Sequence, residues 1–263
     1  MSSVFIEAIG IAGPGIAGWQ GLRTVLRREL PFNLQPLAPH TPMLLPANER
    51  RRASPTVRIA FQAAEDALQS TPLSPATLAT VFASSDADLN IIHRIASALT
   101  ATPRMISPTD FHNSVHNAAA GYWSIAVGSR APSTSISAFD GSFAVGLREA
   151  CTTVRAEGVA TLLVAFDLPP PEPLLSKRPI SQPFAVALIL TGAATERSLA
   201  SIQCEQRPAD VTSIKDAGLE ALRTANPAAR ALPLLEHVAF GTTGAIALPL
   251  DERSTLLVDV RSR

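Results

Sequence analysis

Two seven-residue runs, ATLLVAF (160–166) and FAVALIL (184–190), contain no charge and only one polar side chain between them. A strand with one wet face alternates apolar and polar residues, so runs without alternation read as strands buried on both faces. They are far too short to span a bilayer, which takes about 20 apolar residues. A sheet of this kind needs helices on both sides, and the rest of the chain must supply them.

The chain does supply them. Residues 4–11 form an apolar strand, followed by a glycine-rich turn and a short helix over about 18–29. Residues 31–46 are rich in proline and show no period. Ser54-Pro55 gives an N-cap with proline in the first turn, and TVRIAFQAAEDALQS then puts Val57, Ala60, Phe61, Ala64 and Leu68 on one helical face. LATVFASS is a strand, IIHRIASAL a helix, and 116–127 a buried helix with small residues along one side. STSISA (133–138) alternates as a strand, and 141–156 is helical. Beyond about residue 200 the pattern weakens to a strand near Ser201, a helix near 217–223 and a last strand, TLLVDVR. The order β-α-β-α-β-α-β-β predicts a layered α/β fold on a mostly parallel sheet.

Composition narrows the function. The 263 residues have a formal net charge of zero and no long basic block, which argues against nucleic acid. Only two cysteines are present, so no disulfide framework or cysteine-rich metal site is possible, in keeping with a reducing compartment. The N-terminus lacks the basic start of a signal peptide. The expectation is a cytoplasmic protein with no membrane insertion.

Three motifs invite chemistry. GPGIAG (13–18) matches G-x-G-x-x-G between a strand and a helix. The dinucleotide fingerprint also needs a second strand ending in an acid, and the proline-rich 31–46 cannot be that central strand. A tight strand-to-helix turn is the better reading. His112 and His116, four apart in FHNSVHN, could share a helix face and bind a metal, but no HExxH pattern accompanies them. Asp110, Ser114 and His116 allow a triad, although no G-x-S-x-G elbow surrounds Ser114. Against both stands the reading that His112, Asn113 and Asn117 satisfy backbone groups at a helix entry. The expectation is no metal and no cofactor.

The run from Ile106 to Phe143, ISPTDFHNSVHNAAAGYWSIAVGSRAPSTSISAFDGSF, resembles the central part of β-ketoacyl synthases. The matching features are Ile106-Ser107-Pro108, Asn117, Ala120-Gly121, Gly128, Arg130, Pro132 and the strand 133–138. GWQGLRTVLRREL resembles an early family segment and ATLLVAF the strand after the nucleophile helix. The resemblance implies a thiolase-like fold. The chain would be essentially one βαβαβαββ half (1–195) with a C-terminal remnant (196–263) packed on the same domain, layered α/β/α.

The departures define the expected role. The family's nucleophilic cysteine, a thiolate at a helix N-terminus, falls without gaps on Asp140. Neither family histidine motif occurs, and His237 in EHVAFGTTGA matches no such segment. The chain thus resembles a chain-length factor of the short type found with aryl polyene pigment systems. The resemblance implies a non-catalytic partner that forms a heterodimer with a full-length β-ketoacyl synthase and meets an acyl carrier protein through that complex. Expected tunnel residues are Asp110, Phe111, Tyr122, Trp123 and Phe139. The expected interface strand is Ser133, Thr134, Ser135, Ile136, Ser137 and Ala138. Alternatives are a hydrolase or acyltransferase built on Asp110, Ser114 and His116, and a homodimeric scaffold for acyl carrier proteins.

Overall fold

The computed structural model describes residues 3–262. In chain order its elements are β1 (Val4–Ala12), α1 (Gly18–Leu26), α2 (Ala47–Arg52), α3 (Pro55–Leu68), β2 (Ala79–Ala83), α4 (Leu89–Thr100), α5 (Pro108–Asn113), α6 (Ala118–Val127) and β3 (Ser133–Ile136). They continue with α7 (Ser142–Glu157), β4 (Thr161–Asp167), β5 (Phe184–Thr191), β6 (Ala200–Gln206), α8 (Ala217–Ala225), α9 (Leu232–Phe240), β7 (Gly244–Pro249) and β8 (Thr255–Ser262). All eight strands belong to one sheet, in the order β3-β2-β4-β5-β1-β6-β8-β7.

The two apolar runs become β4 and β5 at the centre of this sheet, every β4 residue buried. Alternate side chains feed two cores. Leu163, Val186 and Leu188 point to the side of α7, α1 and α9, while Leu162, Val164 and Ile189 point to α3 and α6. The result is the expected three layers. The sheet is not mostly parallel, however: only β2–β3 and β2–β4 run parallel, and the other pairings are antiparallel. The reason is connectivity. A parallel return needs a crossover element, and the proline-rich segment between β4 and β5 supplies none.

Local rules are obeyed where the sequence announced them. The Val57 amide donates to Ser54 Oγ at 3.3 Å, capping α3 with Pro55 in its first turn. At Gly10 of β1 an added Cβ would lie 2.0 Å from the Ala63 carbonyl oxygen, so α3 rests directly on the strand backbone. Two C-terminal elements escaped the sequence reading. α9 is apolar on nearly every side, which erases helical period, and β7 is a short run in hairpin with β8. These two strands and β6 extend the same sheet.

Trp123, expected to face a tunnel, is instead fully buried (0 % exposed). Its ring centroid lies 5.4 Å from that of Phe61 on α3 and 6.3 Å from that of Phe82 on β2. The small residues of α6 let the helix sit close to the sheet, and the indole fills the gap beneath it. Tyr122 is also buried, with its ring edge-on to His112. Trp123→Ala should therefore lower unfolding free energy by about 3–5 kcal/mol in urea titration, the usual loss for a large buried aromatic.

Candidate functional site

The chemistry-bearing residues gather where β2 and β4 end and α7 begins. The strand expected over 133–138 stops at Ile136. Ser137 then donates its hydroxyl to the Ser85 carbonyl at 2.7 Å, and the chain turns sharply into α7. Phe139 sits on this turn with φ of 50°, a left-handed conformation that a side chain adopts only at a cost. A nucleophile elbow presents its reactive side chain from just such a strand-to-helix turn. Here the presented group is a phenyl ring, 62 % exposed.

Asp140 follows on the turn and is held by two arginines. Arg178 Nη1 donates to its Oδ1 at 2.5 Å and Arg230 Nη2 to its Oδ2 at 2.7 Å. Arg178 also donates through Nε to Asp86 Oδ2 at 2.6 Å, and its guanidinium lies 3.9 Å from the Phe139 ring centroid. Burial works to lower the Arg178 pKa, but the bonds to Asp86 and Asp140 outweigh it and the net direction is up. Burial depresses Arg230, opposed by Asp140 and helped by Arg223 and Arg178. An aspartate already engaged by two cations is a poor acyl acceptor. A cavity of about 310 Å³ adjoins the turn, lined by Phe139, Asp140, Arg230 and the Leu250–Glu252 segment.

Beneath the turn lies Asp167, fully buried at the end of β4. Its Oδ1 accepts from the Ser85 amide at 2.8 Å, with Ser85 Oγ at 2.7 Å and Ser84 Oγ at 3.1 Å. Ser85 Oγ is also 2.8 Å from Asp86 Oδ2. A hydroxyl has one hydrogen and cannot donate to two carboxylates at once, so a proton on Asp167 relieves the arrangement. Burial raises the Asp167 pKa to about 7 against the pull of Ser85 and Ser84. Asp86, Asp167, Arg178 and Arg230 were not singled out in the sequence. Their one visible signal was an acid placed directly after the apolar run of β4.

The histidine-rich segment assembles no reaction centre. α5 ends at Asn113 and α6 starts at Ala118, so His112 and His116 do not share a helix face. Asp110 pairs with Arg94 at 2.7 Å, and that hydrogen bond lowers its pKa. Ser114 donates to the Phe111 carbonyl at 2.8 Å, and His116 Nε2 lies 3.1 Å from the Ser84 carbonyl. The three groups of the supposed triad thus have separate partners. Asn113 donates to the Arg52 carbonyl at 2.9 Å, as a residue securing a helix entry would. Phe111 is 69 % exposed. Among the described residues no three His, Cys, Asp or Glu side chains converge to hold a metal ion, and no helix is long and apolar enough to cross a membrane.

The glycine-rich turn is filled from within. Asp66 of α3 accepts from the Ile11 amide at 2.9 Å and from the Trp19 amide, at the start of α1, at 2.7 Å. A Cβ at Gly18 would meet the same carboxylate at 2.6 Å. This internal anion sits where a nucleotide phosphate would need to lie. Burial raises the Asp66 pKa, opposed by those two amides.

A mixed sheet between helical layers, with a strained turn entering a buried helix, is the thiolase-like arrangement of ketosynthases. The family model for the beta-ketoacyl synthase N-terminal domain matches residues 27–243, and the chain belongs to that family. No curated protein matches it in sequence. Among solved structures, a ketosynthase in complex with its chain length factor from Xenorhabdus doucetiae superposes with a TM-score of 0.72 at 24% identity, covering 98% of this chain and 100% of that one. The ishigamide ketosynthase/chain length factor gives 0.77 at 13% identity, covering 99% of each chain. A type II polyketide ketosynthase in complex with an acyl-carrier protein (AntDE:AntF) gives 0.76 at 13% identity, covering 100% of this chain and 99% of that one. At these identities the likeness concerns the fold.

The buried carboxylate gives a pH test. Between about pH 4, where an unfolded aspartate titrates, and about pH 7, the folded chain keeps a proton on Asp167 that the unfolded chain has lost. The contribution of Asp167 to stability therefore falls across this window as pH rises. Asp167→Asn, which cannot ionise, should flatten that part of the slope when denaturation midpoints are compared at pH 4.5 and about 7.5.

Proposed function

We propose that the chain is a non-catalytic, chain-length-factor-like subunit that pairs with a full-length β-ketoacyl synthase. The observation that carries this reading is the elbow. Its presented side chain is Phe139, its neighbour Asp140 is clamped by Arg178 and Arg230, and neither bears a thiol or hydroxyl. Cys151 lies inside α7 and is buried, so it does not take over the nucleophile's place. The partner would supply the cysteine and receive acyl groups from an acyl carrier protein in the cytoplasm. The three structural neighbours, each solved as a ketosynthase assembly, support that pairing.

The interface in this reading is the free edge of β3. Pairing with β2 uses the carbonyls of Pro132 and Ile136, which accept from Thr80 and Ser84 at 2.9 and 3.1 Å. Backbone groups of alternate residues in a strand point to opposite edges, so Ser133 and Ser135 point away from β2. An unpaired edge of this kind is a ready template for another chain. Co-expression with a β-ketoacyl synthase from the same operon should give a 1:1 complex in size-exclusion chromatography. Ser135→Pro removes an outward donor while sparing the β2 ladder and should reduce recovery of that complex at least tenfold. A chain that remains alone beside its operon's synthase would overturn the pairing.

The tunnel candidates divide by exposure. Phe111 and Phe139 present rings to the surface, whereas Tyr122 and Trp123 shape the site only through packing. We assign the wall of the shared acyl channel to Phe111 and Phe139, and leave Asp110 to the ion pair with Arg94. In the reconstituted pair, Phe111→Ala and Phe139→Ala should shift product length by at least one extension unit, with the first condensation slowed less than twofold. Mass spectrometry of the released chains reads the outcome, and an unchanged distribution in both variants refutes the assignment.

A further inference from the structure

We infer that Cys151 and Cys204 form a buried dithiol that a hydroperoxide converts to an intramolecular disulfide, tying α7 to β6. The site is separate from the elbow and does not rest on the partner reading. Cys151 faces the sheet from the middle of α7, Cys204 faces α7 from β6, and the two sulfurs are 4.0 Å apart. Both thiols are free, with Cys151 almost wholly enclosed and Cys204 slightly less so. To bond, the sulfurs must close by about 2 Å, through rotation of the two side chains and a small approach of α7 to β6.

The surroundings favour reaction at one of the two sulfurs. The two sulfurs share one hydrogen bond, which holds the Cys204 pKa down against burial, while the same bond and burial push Cys151 well up. Arg155, one turn further along α7, adds positive charge that favours the Cys204 thiolate, and its Nε and Nη2 are buried without a hydrogen-bond partner. Asp259 on β8 is the opposing negative charge. A cation with spare donors beside a hydrogen-bonded thiol pair is the setting in which a thiolate forms and attacks. Structural cysteines in a uniform apolar core lack such a neighbour.

The chemistry balances in two steps. The Cys204 sulfur attacks one oxygen of the hydroperoxide, the O–O bond breaks, and a sulfenic acid forms as water or an alcohol leaves. The Cys151 sulfur then attacks the sulfenic sulfur; the S–S bond forms, the S–O bond breaks, and the hydroxyl departs with the Cys151 proton as water. Two thiols lose two electrons and two protons, and the peroxide is reduced. Oxidation would link the helix carrying the elbow to the C-terminal half of the sheet.

The test uses the purified full-length chain in native buffer with hydrogen peroxide. The expected result is a loss of about 2 Da, a peptide pair joining residues 151 and 204, and monomer mobility on a non-reducing denaturing gel. Cys151→Ser should leave a sulfenic acid at Cys204 that dimedone traps, while Cys204→Ser should leave Cys151 unreacted. Arg155→Gln should slow the native reaction by about tenfold through loss of the positive charge. The proposal is overturned if the folded native chain keeps both thiols under millimolar peroxide, or if the 151–204 link appears only in urea. Either result can be read on the unmutated chain, so it stands even if a variant fails to fold.

Discussion

Asp167 ties together the ends of β2 and β4, and much of the site depends on that one buried carboxylate. It receives the Ser85 amide and faces the Ser84 and Ser85 hydroxyls, fixing the loop that follows β2. The carbonyls of the same two serines then receive His116 and Ser137. The histidine-rich segment and the turn into α7 are therefore both hung on the end of β2. Asn226, far along the chain, donates to the Asp167 carbonyl at 3.0 Å and to that of Gln182 at 2.8 Å, bringing the C-terminal part to the same point. Buried polar groups are tolerated when they bond one another, and a network this connected leaves few alternative arrangements.

How much of this was legible in the sequence follows from the range of the interactions involved. β4, β5, α3 and α7 rest on local pattern, and each is close to where its apolar spacing or its cap puts it. Strand direction was less visible, since it depends on what connects the strands rather than on the strands themselves. α9 and β7 were hidden because an all-apolar helix and a short hairpin strand leave no period to detect. Burial sorted the aromatics in a way spacing could not. Tyr122 and Trp123 follow Phe111 by little more than ten residues, yet they face the core while Phe111 faces out.

The site was legible in outline and misleading in detail. The resemblance to β-ketoacyl synthases located the strand-to-helix turn, and the missing cysteine was evident at once. The arginines that clamp the turn were not, since Arg178 and Arg230 lie 38 and 90 residues from Asp140 in the chain. Long-range ion pairs of this kind have no sequence signature. The histidines gave the opposite error. Their spacing drew attention to a metal or triad, and the break between α5 and α6 shows why spacing alone was insufficient.

The clamp also bears on how this chain could change over generations. A cysteine placed at position 140, where the family's nucleophile aligns, would remove the carboxylate that Arg178 and Arg230 share and leave both guanidiniums without it. His116, whose imidazole is held against the neighbouring strand end, is committed to a carbonyl. Building a thiol nucleophile into this turn would thus take several coordinated replacements, each harmful alone because it strands a partly buried charge. A turn of this design resists piecemeal change, because removing any one member of the clamp leaves the charges it paired short of a partner.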